Sequence, residues 1–379
     1  MENDPQPEAT PFQPGTAPAP RSYTLAAMMT IAVLLFIALH FLNQAFASRH
    51  RRIAREEYAA GVRALEAGQA ADAAERFLTA LRFSPGNRDY ELDLAQALAA
   101  AGRLRQAESY LHTLLQEEPG DGMANLQLAR LALREHDLAR ATRYFHAAIY
   151  GAWPQEGQKR RLETRIELVR ALLQEQQLTA ARSELIGLTG DLPDEPGRLA
   201  EAGALFLAAG DNQNAFAMLR RALEKQKAPP GDWLRDAGLA TFRMGNYPVA
   251  TEYLRRAVER GADGNSAAAL AIARAAVALD PYARGVRHSD HVLRAYRAWG
   301  IAGQRMEQCS VAPESEPGKQ WAELRPRVSR AALARDPELL DAVTEAVFRL
   351  EQATESCPSP TPEDSALALL AQRYAGQGR

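Results

Sequence analysis

Apolar positions along the chain follow three regimes. From Leu25 to Phe46 they run on with few interruptions, a pattern long enough for a membrane-crossing helix. From about residue 54 to 263 they recur at three- and four-residue intervals, broken every dozen or so residues by Gly, Pro or polar turns, which predicts short amphipathic helices. Beyond residue 264 helical spacing continues without a regular repeat. Alternating β-branched runs are nearly absent, so the expected fold class is all-α.

The middle regime repeats itself. A small residue followed four positions later by a bulky one occurs at Ala73/Phe77, Ala107/Leu111, Ala141/Phe145, Ala181/Leu185, Ala215/Leu219 and Ala250/Leu254, at spacings of 34, 34, 40, 34 and 35 residues. A period near 34 is the signature of a helical-hairpin solenoid. The residue types fit that packing. Gly61 would let the two helices of the first hairpin approach closely, Gly68 would end its first helix, and Ala73 and Ala80 would keep its second helix thin. Pro85 would then stop that helix. Leu94, Ala95, Leu98, Gly102, Ala107, Leu111 and Pro119 repeat the plan, and Ala237, Gly238, Gly245, Tyr247, Ala250, Tyr253, Leu254 and Ala257 close the series.

Over roughly residues 54 to 263 these positions resemble the tetratricopeptide-repeat (TPR) family. Two departures stand out. The third hairpin has His136 where a turn glycine is usual, and six extra residues place a loop around Gln155 to Lys159. The resemblance implies that the first helix of each hairpin, helix A, lines a concave groove that takes a peptide or helix of another protein. Its groove positions fall on Tyr58, Val62, Gln96, Gln127, Arg130, Arg134, Arg170, Gln174, Arg235, Phe242 and Arg243. So many arginines would suit carboxylates or an acidic helix, because a guanidinium donates in a planar fork. Glu167, Asp232 and Asp236 nearby favour the alternative of a solvated charged face. The lysine and asparagine set with which family members clamp a chaperone C-terminus has no counterpart at matching places, and that activity is not carried over.

The N-terminal region predicts a disordered tail over 1–22, with Pro5, Pro11, Pro14, Pro18 and Pro20 among its residues, and a transmembrane helix over 23–47. Ala45-Phe46-Ala47 offers a signal-peptidase-like site. The apolar run nevertheless exceeds the roughly 7 to 15 residues of a signal core and follows no short basic segment, which favours an uncleaved anchor in an inner (cytoplasmic) membrane. Arg49, Arg51, Arg52 and Arg55 follow the span, whereas Arg21 alone precedes it, so the charge rule places the body in the cytoplasm, with the periplasmic side as the alternative. The array is expected over 52–263 in about six repeats, and a helical region that caps it over 264–379. There, helices are expected from Ala267 to Leu279, from Ser289 to Cys309, from Asp336-Pro337 onward and from Thr361-Pro362 onward, with a loop through Pro313 and Pro317.

Composition narrows the chemistry. A formal net charge of −2 and 24% charged residues disfavour nucleic acid, which needs a local excess of Lys and Arg. Two cysteines, Cys309 and Cys357, are too few for a thiolate metal site. Two reduced thiols in the cytoplasm is the simpler expectation, and a bond between them would argue for the opposite topology. His288 and His291 share a helix face without a third ligand. No glycine-rich phosphate loop or nucleophile elbow is present, so neither catalysis, cofactor, metal nor small-molecule substrate is expected. The expected function is a membrane-tethered scaffold that assembles a protein complex. The alternative is an accessory subunit of an envelope enzyme complex such as surface polysaccharide biosynthesis or secretion.

Overall fold

The computed structural model describes residues 21–375, with side-chain environments from residue 25. The stretch 1–20, most of the expected tail, lies outside the described residues. Among the described residues the chain forms helices and no strand; one isolated parallel bridge pairs Asp121 with Ala152. It divides into two compact units, residues 1–152 and 153–379.

The first unit holds three helical hairpins: α1 (Arg21–Glu66) with α2 (Ala70–Phe83), α3 (Arg88–Ala100) with α4 (Leu104–Glu117), and α5 (Gly122–Arg134) with α6 (Leu138–Ile149). The sequence separates the apolar segment from the first repeat, but α1 runs unbroken through both. Ser48 to Ala54 contains neither Pro nor Gly, so nothing stops the helix there. Its apolar part, from Leu25 to Phe46, is exposed throughout. Each hairpin closes where a small residue faces a bulky one sixteen positions on. A Cβ added at Gly61 would lie 2.6 Å from the Phe77 ring, and Phe77 is fully buried. Ala95 and Leu111 share the same buried cluster.

The second unit continues with α7 (Gly157–Gln174) and α8 (Leu178–Leu188), α9 (Pro196–Ala208) and α10 (Asn212–Lys225), and α11 (Gly231–Arg243) and α12 (Tyr247–Glu259). The sixteen-residue pairing recurs. A Cβ at Gly203 would stand 2.6 Å from Leu219, and one at Gly238 2.7 Å from Leu254. The loop expected around Gln155 to Lys159 is shorter than that: α7 starts at Gly157 and turns most of the six extra residues into an additional helical turn.

The remaining helices are α13 (Gly264–Leu279), α14 (His288–Gln308), α15 (Glu316–Leu324), α16 (Arg330–Arg335), α17 (Pro337–Ala353) and α18 (Pro362–Ala375). Pro317, expected in a loop, sits in the first turn of α15, where its missing N–H costs nothing. The short α15 and α16 carry too few turns to register as periodic. α13 packs on α12 and on α18, the last helix, whose Leu367, Leu370 and Ala371 are buried with Ala275, Ala276 and Leu279. α17 lies against α14, α15, α16 and α18.

That fold-back brings the two cysteines together. Cys309, at the end of α14, and Cys357, after α17, are 6.0 Å apart at Cα and disulfide-bonded. The simpler expectation of two free thiols is therefore corrected. The Arg305 side chain lies one turn before Cys309 and is fully buried. Its Nε donates to Thr354 Oγ1 at 2.8 Å, Nη2 to the carbonyls of Thr354 (2.8 Å) and Cys357 (3.1 Å), and Nη1 to Ser359 Oγ at 3.0 Å. Its charge partner, Glu351, lies 3.0 Å away and is equally buried.

Candidate partner-binding face

Helix A of each hairpin presents the residues singled out from sequence, and the two units are taken in turn. In the first unit these helices are the second half of α1, then α3 and α5. Tyr58 is half-buried, stacks on Tyr90 with ring centroids 4.4 Å apart, and donates through its hydroxyl to Asp93 Oδ2 at 2.6 Å. Burial, helped by that bond, pushes its phenol up, and burial also raises the Asp93 carboxyl against the opposing effect of the Tyr58 hydroxyl. Val62 packs into the core edge. Gln96 is exposed, Gln127 half-buried and Arg130 exposed. Arg134 turns back on the preceding hairpin, where its Nη1 donates to the Ala99 carbonyl at 2.5 Å.

The second unit uses its arginines in the same way. Arg170 Nη2 donates to Glu201 Oε1 at 2.6 Å, and Glu201 also accepts from Arg198 at 3.0 Å. Arg235 sits among Asp232 (2.7 Å), Asp236 (2.9 Å) and Asp263 (3.6 Å). Burial works against its charge there, but the three carboxylates outweigh it and hold the guanidinium above its ordinary value. Arg243 Nη1 donates to the Leu207 carbonyl at 3.2 Å. Gln174 is exposed, and Phe242 packs edge-on to Tyr247 at 5.6 Å.

These contacts bear on how the arginines are used. The last carbonyls of a helix lack intrahelical partners, and Arg134 and Arg243 serve those of Ala99 and Leu207, near the ends of the preceding helices A. Arg170 and Arg235 are spent on carboxylates of the array itself. Arg134, Arg170, Arg235 and Arg243 thus already carry contacts within the array. Asp93, Glu201 and Asp263 were not singled out from sequence, although a signal existed: they lie 35, 31 and 28 residues after Tyr58, Arg170 and Arg235, close to one repeat. The helix-A faces keep neutral amides: Gln96 and Gln127 in the first unit, and Gln174 in the second. Each can both donate to and accept from the backbone of a bound chain.

The two histidines considered for metal have separate surroundings. His288 Nε2 lies 3.1 Å from the Ala334 carbonyl, and His291 packs edge-on to Tyr282, its pKa lowered mainly by burial.

No curated protein sequence matches the chain. Among solved structures it is similar to PilW, a type IV pilus biogenesis factor, at 17% identity over 54% of this chain and 91% of that one, with a TM-score of 0.40. A tetratricopeptide repeat protein from Parabacteroides merdae is 11% identical over 85% of this chain and 99% of its own, with a TM-score of 0.39. PilF of Pseudomonas aeruginosa is 15% identical over 62% and 96%, with a TM-score of 0.32. Likenesses of this size transfer neither partner nor activity. The tetratricopeptide-repeat family model matches residues 64–131, and the hairpins on either side of that stretch keep its spacing, its small-to-bulky closure and its turn geometry: the chain contains tetratricopeptide repeats.

Proposed function

We propose that this protein is a membrane-anchored scaffold that holds another protein, as an extended peptide or a helix, on its helix-A faces. The organisation that goes with this reading is a tail over 1–22, a span over 23–47, the repeat array over 52–263 and a helical cap over 264–379. The observation that carries it is the set of helix-A positions where exposed amides (Gln96, Gln174) alternate with arginines already engaged inside the array. In each unit such positions present unspent donors and acceptors, which suits main-chain recognition more than charge recognition.

The span reading rests on the 22 apolar-rich residues at the start of α1, none of which is buried against the body. For the body we propose the non-cytosolic side of the membrane, opposite to the side favoured by flanking charge, because a disulfide between the chain's two cysteines persists only in an oxidising compartment.

The test is site-specific photocrosslinking of the full chain in its native membrane, with the crosslinker at Gln96, at Gln174 and, as a control, at Glu75 on a helix-B face. The reading expects one protein adduct shared by Gln96 and Gln174 and missing at Glu75. Adducts that are equal at all three positions, or confined to Glu75, would refute it.

A further inference from the structure

The base of the first hairpin carries a feature that partner binding does not use. From Leu25 to Phe46 α1 is about 33 Å long at 1.5 Å per residue, which matches a hydrocarbon layer of about 30 Å. The next two turns carry Arg49, Arg51, Arg52 and Arg55, all exposed. The half-buried His50 lies between two phenylalanines, with ring centroids 4.0 Å from Phe46 and 5.3 Å from Phe83. Phe83 is the last residue of α2. These three rings hold the end of α2, and the turn Ser84 to Asn87 after it, within about one helical turn of the point where the apolar segment ends. Arg82, exposed in the last turn of α2, joins the same collar.

We propose that this collar is a binding surface for anionic phospholipid headgroups. It rests on the reading of α1 as a membrane span. The headgroup layer is about 5 to 7 Å thick on each side of the hydrocarbon, so the first turn past Phe46, and the α2 end pinned beside it, fall within that layer. Arg49, with Arg82 on the pinned end of α2, then faces lipid phosphates in the fork geometry that guanidinium groups use for carboxylates, while Arg51, Arg52 and Arg55 start about 8, 9 and 14 Å past Phe46 and reach down to the same level along their long side chains. The competing carboxylate on α1, Glu56, lies 3.6 Å from Arg52 in an exposed pair that contributes little. Arg51 and Arg55 bond through Nε to carbonyls of their own helix, at 3.4 and 3.2 Å.

Folding also argues for lipid over a topology signal alone. A signal read during insertion needs only the residues next to the span, whereas Arg82 and Phe83 come from a second helix and reach this level only once the hairpin has closed. The consequence is orientation. With α2 seated on the headgroups, the first hairpin cannot pivot about the span, and Val62 is held about 24 Å above Phe46.

The experiment uses the full chain in vesicles, with Ser84→Cys or Gln69→Cys carrying an environment-sensitive fluorophore attached without reductant, and a nitroxide on the lipid headgroup as quencher. Gln69 lies at the far end of the hairpin. The proposal expects quenching at position 84 and none at 69 in vesicles holding phosphatidylglycerol. That quenching should fall several-fold in phosphatidylcholine alone, at about 1 M salt, where screening reaches about 3 Å, and in the variant Arg49→Gln/Arg51→Gln/Arg52→Gln/Arg82→Gln. Protein that floats with the vesicles and resists alkaline extraction yet shows no quenching at 84 would overturn the collar and leave the span intact. Equal quenching at 84 with and without anionic lipid or arginines would overturn phosphate recognition. Protein released by alkaline extraction would instead remove the span reading on which both depend.

Discussion

At the residue scale, the hairpin turns reveal how strictly the repeat is kept. The turn between helices A and B has positive φ at Gly68, Gly102, His136, Gln176, Gly210 and Gly245, from 55° to 78°. Four of these positions carry the residue that tolerates this conformation, while His136 and Gln176 adopt it with a Cβ in place, a conformation that costs about 1 to 2 kcal/mol. His136→Gly and Gln176→Gly should each therefore stabilise the chain by roughly 1 kcal/mol, after allowing for glycine's greater freedom when unfolded. Urea titrations followed by circular dichroism would show the midpoint rising, and a fall would mean that the side chains supply compensating contacts. The reverse holds where glycine makes room. Gly238→Val should cost about 1 to 3 kcal/mol, since even its Cβ meets Leu254 at 2.7 Å in a filled core. The sequence made Gly61, Gly68 and the alanine series legible because packing between helices depends on side-chain size alone. It did not show what Arg134 and Arg243 contact, because their acceptors are backbone carbonyls, which every residue possesses and no residue type announces.

At the scale of elements, the C-terminal helices form a clasp. α18 is buried on α13, and its end is tied by Tyr374, whose hydroxyl donates to Asp280 Oδ1 at 2.8 Å, and by Arg373, which donates to the Gly245 carbonyl at 3.0 Å. Upstream, the disulfide and Arg305 fasten the segment that leads into α18. Closing a loop of 48 residues removes unfolded-state entropy worth about 4 kcal/mol at most. Cys309→Ser/Cys357→Ser, or reductant, should therefore lower the stability of the second unit by up to that amount in calorimetry and leave the first unit's transition in place. Arg305→Met removes the charge partner of the buried Glu351 and the donors to Thr354, Cys357 and Ser359, and should cost about 3 to 5 kcal/mol, whereas adding Glu351→Leu should recover only the part due to the buried acid. Glu351 also sets a pH dependence. Burial, with Asp364 adding to it and Arg305 opposing it, pushes its carboxyl up to about 7 from the ordinary 4.5. The folded state then holds this proton more tightly than the unfolded one, so the group's stabilising contribution is complete below about pH 4.5 and is lost as pH rises through 7. Comparing thermal midpoints between pH 5 and 8 for the natural protein and Glu351→Gln checks this: the variant should respond less. The cysteine pairing was not legible beforehand because it depends on α15 and α16, too short to show a period, and on α17 returning to α14.

At the scale of the whole molecule, if α1 is read as a membrane span, a sequence feature and a structural feature disagree about the side on which the body lies. Four arginines after the span favour the cytosol, while the paired cysteines favour an oxidising compartment. The charge bias operates over flanking loops of up to about 60 residues, and longer domains are translocated largely regardless of it. More than three hundred residues follow the span, so the bias has little hold here. A cytosolic disulfide, by contrast, would have to survive continuous reduction by the thiol pool. Under the lipid-contact proposal the arginines also have a role that does not depend on topology. The body should therefore lie outside the cytosol. A C-terminal alkaline phosphatase fusion, which acquires activity only where its own disulfides form, should be active. The chain denatured without reductant should leave both cysteines unreactive to maleimide. Two titratable thiols, together with fluorescence from a matching green fluorescent protein fusion, would place the body in the cytosol. The arginines after the span would then mark topology, and the contact between Cys309 and Cys357 would be a proximity without a bond.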